Sequence, residues 1–128
     1  MVVVSSSEEP QIVQQLQRSH DFHVIQANGA GYKLLCVIDG LVAAYLTSKP
    51  TIYQWDTCGP HAILLALGGG VISYHDNKDL KSLDNLPQLS YHVGGCHGDP
   101  CHSNGIIAYR SISALSTLLS ALQRTSQT

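Results

Sequence analysis

An α/β fold, with helices flanking a mostly parallel sheet, is predicted by three observations. Short runs rich in β-branched residues alternate with segments whose apolar residues recur at helical spacing. Serine, glycine and aspartate stand at the junctions, where helices start and stop. A chain of 128 residues that is 44% hydrophobic has the size and apolar share of one small domain or part of one.

Residues 2–4, Val-Val-Val, read as a buried strand that begins directly after Met1. Such a strand normally has neighbours on both sides, so a preceding portion of the fold is expected to be missing. Ser5, Ser6 and Ser7 can each cap a helix that carries Glu8, Glu9 and Pro10 in its first turn and Ile12, Val13 and Leu16 on one face. A second strand is expected at 22–27. Gly29-Ala30-Gly31 then opens a helix with Leu34, Leu35, Val37 and Ile38 apolar, stopped by Gly40. A third strand covers 41–46 and a turn 48–51. The segment 56–67 is a helix apolar on most sides, which predicts burial all round. Three glycines end it, and 71–74 is a further strand. Residues 75–105 form a long polar loop region, interrupted by a candidate strand at 89–93. A last strand at Ile106–Tyr109 precedes a helix with Ala114, Leu115, Leu118, Leu119 and Leu122 on one face, and the tail 123–128 is polar.

Charge and hydropathy remove several function classes. Seven basic against nine acidic residues, without a basic run, leave no electrostatic footprint for nucleic acid or an anionic membrane surface. The longest apolar run, 62–67, falls far short of the ~20 residues that span a bilayer. The first residues lack the basic start and apolar core of a signal peptide, so the expected location is the cytoplasm, with reduced cysteines. Cys36 and Cys58 read as small buried hydrophobes, His61 as a packed residue, and His20, His23 and His75 as surface residues.

The segment Trp55-Asp56-Thr57-Cys58-Gly59-Pro60-His61-Ala62-Ile63-Leu64 places a carboxylate at the start of a helix whose first turn holds small residues and a proline. Free N–H groups and the positive dipole end would welcome a phosphate there. Asp56 could hold a divalent metal bridging to that phosphate, since Mg²⁺ favours a few carboxylate oxygens plus substrate oxygens. On local pattern alone, a plain aspartate cap on a core helix is the simpler account. Gly29-Ala30-Gly31-Tyr32-Lys33 also opens a helix, with glycines that allow close approach to the backbone and a lysine one turn in. Such turns are more often structural.

Taken together, Trp-Asp-x-Cys-Gly-Pro-x-Ala-Ile-Leu with its trailing Gly-Gly, and Gly-Ala-Gly-Tyr-Lys before it, resemble the inositol monophosphatase superfamily of magnesium-dependent, lithium-sensitive phosphatases. The resemblance implies the C-terminal α/β layer of that fold. It implies that Asp56 ligates Mg²⁺ and that Gly29 and Lys33 contact an inositol phosphate substrate. Leu86-Pro87-Gln88-Leu89 with Tyr91-His92-Val93, and the stretch Gly105-Ile106-Ile107-Ala108-Tyr109-Arg110-Ser111, resemble the branch that removes the 1-phosphate of inositol polyphosphates such as inositol 1,4-bisphosphate. A neighbouring branch acting on 3′(2′),5′-bisphosphate nucleotides is the alternative. Near the start, Ser5-Ser6-Ser7-Glu8-Glu9 resembles a substrate-binding strand end, which implies a substrate contact for Ser7. Glu9 stands where that pattern has lysine, and the reversed charge weakens the expected grip on a bisphosphate.

The family's Asp-Pro-Ile-Asp-Gly-Thr motif does not occur in this sequence. Val37-Ile38-Asp39-Gly40 keeps only Ile-Asp-Gly and reads as a helix stop. Residues 1–128 are therefore expected to be the C-terminal subdomain of such a phosphatase, without the half that carries the other metal ligands and inactive alone. The oligomeric state is left open. Two rival readings remain: a non-catalytic binding module, and a zinc module at Cys96-His97-Gly98-Asp99-Pro100-Cys101-His102, whose ligand spacing lacks two separated pairs.

Overall fold

The computed structural model describes residues 2–5, 10–18, 23–27, 29–48, 54–74, 88–89 and 105–124. In chain order these form β1 (Val2–Ser5), α1 (Pro10–Arg18), β2 (Val24–Ala27), α2 (Ala30–Ile38), β3 (Ala44–Thr47), α3 (Gln54–Ala66), β4 (Gly70–Ser73), β5 (Ile106–Tyr109) and α4 (Ile112–Arg124). The α/β alternation expected from the sequence is present. Strand boundaries differ from the expected ones by one to three residues where apolar runs continue past the paired segment, as at Leu41 and Val42.

The strands form one sheet in the order β2-β1-β3-β5-β4. β1 pairs in parallel with β2 and with β3, whereas β5 is antiparallel to both β3 and β4. Being antiparallel to the same strand, β3 and β4 share a direction, so β1 to β4 run one way and β5 alone is reversed. The pairings are mixed, two parallel and two antiparallel, while four of the five strands share one direction. The cause is the connection: β1 to β4 are joined by helical crossovers, which parallel strands require, and β5 is reached through the long 74–105 segment. The expected neighbours of β1 are β2 and β3, both supplied by this chain.

Side-chain alternation along the strands builds two cores. On one face Val2, Val4, Ala44, Leu46, Ile72, Ile107 and Tyr109 meet Ile12 and Leu16 of α1 and Leu115, Leu118 and Leu122 of α4. On the other, Tyr45, Val71, Ile106 and Ala108 meet Leu34 and Val37 of α2 and Leu64 of α3. The chain leaves β1 toward β2 and then crosses back over it to β3. Two right-handed crossovers in opposite directions put α1 and α2 on opposite faces.

The helix stop expected at Asp39-Gly40 is present: α2 ends at Ile38, Asp39 is its C-cap, and Gly40 follows at φ +78°. Arg110 completes that end, its Nη1 donating to the carbonyls of Val37 and Ile38. Val37 O also accepts from Gly40 N at 3.1 Å in the closing turn, and a guanidinium suits the negative end of the dipole. Arg110→Ala is expected to cost about 1.5–3 kcal/mol, the range for a charge-assisted bond, read as a lower urea midpoint at unchanged m. An unchanged midpoint would mean that water serves those carbonyls equally well.

One expectation about packing does not hold. α3 buries Thr57, His61 and Leu64, but Cys58, Ala62, Ile63, Leu65 and Ala66 are exposed. Cys58 is accordingly an exposed free thiol, not a buried hydrophobe, because it lies away from the Thr57-His61-Leu64 stripe. Cys36 is buried, as expected, and Tyr45 packs within the sheet face.

Candidate active site

Because β1 to β4 run the same way, their carboxyl ends, at Ser5, Ala27, Thr47 and Ser73, share one rim of the sheet. The amino end of β5 joins them, since Ile106 pairs with both Thr47 and Ser73. The helices that follow β1, β2 and β3 start from this rim, so their N-terminal dipole ends are directed toward it. Chain direction also reverses here: β2 lies to one side of β1 and β3 to the other, which makes the carboxyl-end crevice beside β1 the place where open α/β sheets bind ligands.

Three of the four sequence-predicted site residues lie in this region. Gly29 caps α2 and accepts the first helical bond, from Lys33 N at 3.2 Å. Asp56, half-buried, lies in the first turn of α3, which begins two residues earlier than expected, at Gln54. α2 and α3 pack side by side on one face of the sheet. The first turns carrying Gly29, Lys33 and Asp56 therefore belong to neighbouring helices that follow β2 and β3, the two strands flanking β1. Ser7, the fourth, lies outside the described residues, as do Glu9 and the 96–102 segment of the zinc reading.

Lys33 is 3% exposed, and its Nζ stands 4.9 Å from the ring centroid of Tyr45 on β3. A cation at that distance from an aromatic face is attracted to the ring quadrupole, most strongly where water is excluded. The lysine stem is thereby fixed between α2 and β3. The glycines beside it are unconstrained: a Cβ at Gly31 or Gly59, in the opening turns of α2 and α3, would meet nothing within 4 Å. Among the described residues nothing demands glycine at those two positions for space, and both leave the helix backbone open to a close ligand. Pro60 adds a local effect, because it lacks the N–H that would reach back to the carbonyl of Asp56.

The donor set for a metal is small. Among the described residues no group of three or more His, Cys, Asp or Glu could hold a metal ion. A single half-buried carboxylate fits Mg²⁺ as one protein ligand among waters and phosphate oxygens, and does not form an all-protein cage.

Several rim and core features went unread in the sequence. Thr47 and Ser48, buried at the end of β3, passed for a strand end and turn. Tyr45 as the companion of Lys33 was legible only through the period-2 alternation that puts it on the α2 and α3 face. Gln88 is the third. Its Oε1 accepts from Val71 N at 2.9 Å and lies 3.0 Å from His61 Nε2, while its Nε2 donates to the Tyr109 hydroxyl at 2.7 Å. The Val71 bond fixes which end of the amide is oxygen, so His61 donates from Nε2. Gln88 also bridges to Ile72, and Leu89 N bonds Val71 O at 3.0 Å, so these two residues extend the sheet beyond β4. Burial raises the pKa of Tyr109 above the ordinary tyrosine value, with the Gln88 bond opposing. This cluster lies at the amino end of β4, away from the rim, and its work is structural.

Comparison with known proteins follows the same outline. The solved structure of inositol monophosphatase from Anabaena superposes with a TM-score of 0.61 over 97% of this chain and 44% of that one, at 21% identity, a likeness of fold. Inositol polyphosphate 1-phosphatase of Mus musculus is 46% identical over 127 residues, 94% of this chain and 32% of that protein. The Homo sapiens protein of the same name is 43% identical over 126 residues, with the same shares. Human 3′(2′),5′-bisphosphate nucleotidase 1 is 37% identical over 72 residues, 52% of this chain and 23% of that protein. The chain spans about a third of the length of the inositol polyphosphate 1-phosphatases it matches. No described helix is long and apolar enough to cross a membrane. The inositol monophosphatase family model matches residues 2–118, a span from β1 into α4 that takes in both motif-bearing helices, and the chain belongs to that family.

Proposed function

We propose that this chain forms the substrate-facing and part of the metal-binding surface of a Mg²⁺-dependent, lithium-sensitive phosphatase that removes the 1-phosphate from inositol polyphosphates. The observation that carries the reading is the placement of Gly29, Lys33 and Asp56 in the opening turns of adjacent helices at one sheet rim. The higher identity and wider coverage of the inositol polyphosphate 1-phosphatases favour an inositol phosphate over a bisphosphate nucleotide.

Each residue has a defined task. The amide groups at the start of α2, left open by Gly29 and Gly31, receive a phosphate, and the Lys33 ammonium supplies positive charge from beneath that turn. Asp56 offers a carboxylate oxygen to the metal at the start of α3. Bound Mg²⁺ would neutralise the phosphate and activate water for in-line attack. Ser7 is proposed as a further substrate contact, and Glu9 beside it lowers affinity for a second phosphate. With one family metal carboxylate in 128 residues, the chain alone is proposed to bind but not to turn over substrate.

Calorimetric titration of inositol 1,4-bisphosphate in the presence of Mg²⁺ tests this. Binding is expected to weaken about tenfold or more in Lys33→Ala, the size of one charge-assisted phosphate contact, and to exceed that of adenosine 3′,5′-bisphosphate. Mg²⁺-independent binding, or equal binding by the mutant, would overturn the reading. A preference for the nucleotide would transfer it to the nucleotidase branch.

A further inference from the structure

α3 is held to the sheet by more than apolar packing. His61 is 3% exposed, and its Nε2 donates to Gln88 Oε1 at 3.0 Å. The same oxygen accepts from Val71 N on β4 at 2.9 Å, and Gln88 Nε2 donates at 2.7 Å to the hydroxyl of Tyr109 on β5. One amide thus joins a helix to two strands, its oxygen facing donors and its nitrogen an acceptor. Turning the amide over would set its NH2 against Val71 N–H, so its orientation is fixed. The glycines that follow α3 make room for it. A Cβ at Gly70 would overlap Gln88 Oε1, and one at Gly69 would overlap the Tyr109 carbonyl oxygen. Gly69, Gly70 and Gln88 are therefore one fitted unit drawn from separate segments.

This anchor acts on the helix that carries Asp56. His61 stands about 7.5 Å further along the α3 axis and directly follows Pro60, which lacks the N–H that would bond the Asp56 carbonyl. With that rung missing, the opening turn is less firmly coupled to the turns beyond it. Holding it falls to the inner stripe, where Thr57, next to Asp56, lies one turn from His61 on the same face. α2, the other site helix, is held from the same place, because Arg110 directly follows Tyr109 and donates to the carbonyls of Val37 and Ile38. The carboxyl end of β5 therefore grips both helices, α2 through Arg110 and α3 through Tyr109, Gln88 and His61. The relative placement of their opening turns is set from the end of the sheet opposite the rim. We propose that Gln88 and His61 are positioning residues for Asp56, fixing α3 on the sheet so that the carboxylate meets the metal beside the phosphate-receiving turn of α2. The consequence for the metal rests on the functional reading above, whereas the placement of α3 does not.

The test reads the 128-residue chain in two ways. Residual dipolar couplings of the α3 amides, measured by nuclear magnetic resonance against those of β1 to β3, report where the helix lies. They should change in Gln88→Leu, which keeps the size and removes all three bonds. They should return to wild-type values in Gln88→Glu, whose oxygens still accept from His61, Val71 and the Tyr109 hydroxyl. Gly70→Ala, which displaces the amide without deleting it, should reproduce the change, and should add little to Gln88→Ala, where the overlap is gone. Mn²⁺ affinity, titrated by electron paramagnetic resonance, should fall about threefold or more in Gln88→Leu, the scale of coupling carried through packed elements. It should hold in Ile12→Val, a packing loss in the opposite core. A Gln88→Leu chain with a lower urea midpoint but wild-type couplings and Mn²⁺ affinity would overturn the proposal, since the amide would then serve stability alone. Shifted couplings with unchanged Mn²⁺ affinity would overturn it too, provided that Asp56→Asn lowers that affinity. If Asp56→Asn leaves Mn²⁺ binding unchanged, the metal reading itself falls, and the couplings decide the placement of α3 on their own.

Discussion

Gly105→Ala is expected to lose about 3–5 kcal/mol, enough to unfold much of a domain whose total stability is of order 5–15 kcal/mol. Two penalties coincide. Gly105 sits at φ +67°, where a side chain costs about 1–3 kcal/mol. A Cβ there would also overlap the carbonyl oxygen of Thr47 and come within 3.0 Å of Ser48 Cα. Backbone atoms of β3 cannot turn aside as a flexible side chain would, and β5 pairs with strands on both sides, so a shift at its start propagates into β3 and β4. Gly31→Ala is the internal comparison, since its Cβ meets nothing and helix propensity gains about 0.5–1 kcal/mol. Urea denaturation of both variants checks the pair, and a Gly105→Ala midpoint equal to wild type would show that the strand entry is more yielding than these contacts imply.

The fold was legible to the extent that local pattern decides it. Alternation of strand and helix signals located every described element, because β-branched runs and 3.6-residue spacing are properties of the chain itself. Strand direction was less accessible. β5 inserts between β3 and β4 although β4 precedes it in sequence, and hydrophobic pattern alone does not encode that pairing order. The clue was the polar, turn-rich sequence of the 75–105 segment, which lacks the apolar helical face seen in the segments that join β1 to β4. Reading 56–67 as apolar on most sides was correct as composition, but whether a surface is covered depends on what packs against it, which no local pattern contains.

For the site, motif spacing placed Gly29, Lys33 and Asp56 at helix starts, and parallel topology brought those starts to one rim. What stayed hidden was long-range. Lys33 rests on Tyr45, twelve positions away, and Gln88 ties His61, Val71 and Tyr109 together from a segment that the sequence marked only by its family resemblance and a candidate strand. Each of these bonds depends on which strand edge meets which helix, information that appears only once the sheet order is known.

Asp56→Asn should separate a metal ligand from a helix-start carboxylate. The substitution keeps size and hydrogen-bonding shape and removes the charge. If Asp56 only complements the α3 dipole, the consequence is confined to stability, a loss of about 0.3–1 kcal/mol in urea. If it ligates the metal, binding of Mn²⁺, a paramagnetic probe of carboxylate–magnesium sites, should fall about tenfold or more, and turnover in the assembled enzyme about a hundredfold or more. The two readouts are independent, because a half-buried side chain in the first turn of α3 can be exchanged without opening either core. Electron paramagnetic resonance titration of Mn²⁺ on the isolated chain gives the first, and phosphate release from inositol 1,4-bisphosphate by the mouse relative carrying this chain in place of the segment it matches gives the second. A variant that keeps wild-type Mn²⁺ affinity and turnover while losing only the small dipole term would return Asp56 to an ordinary role in helix stability.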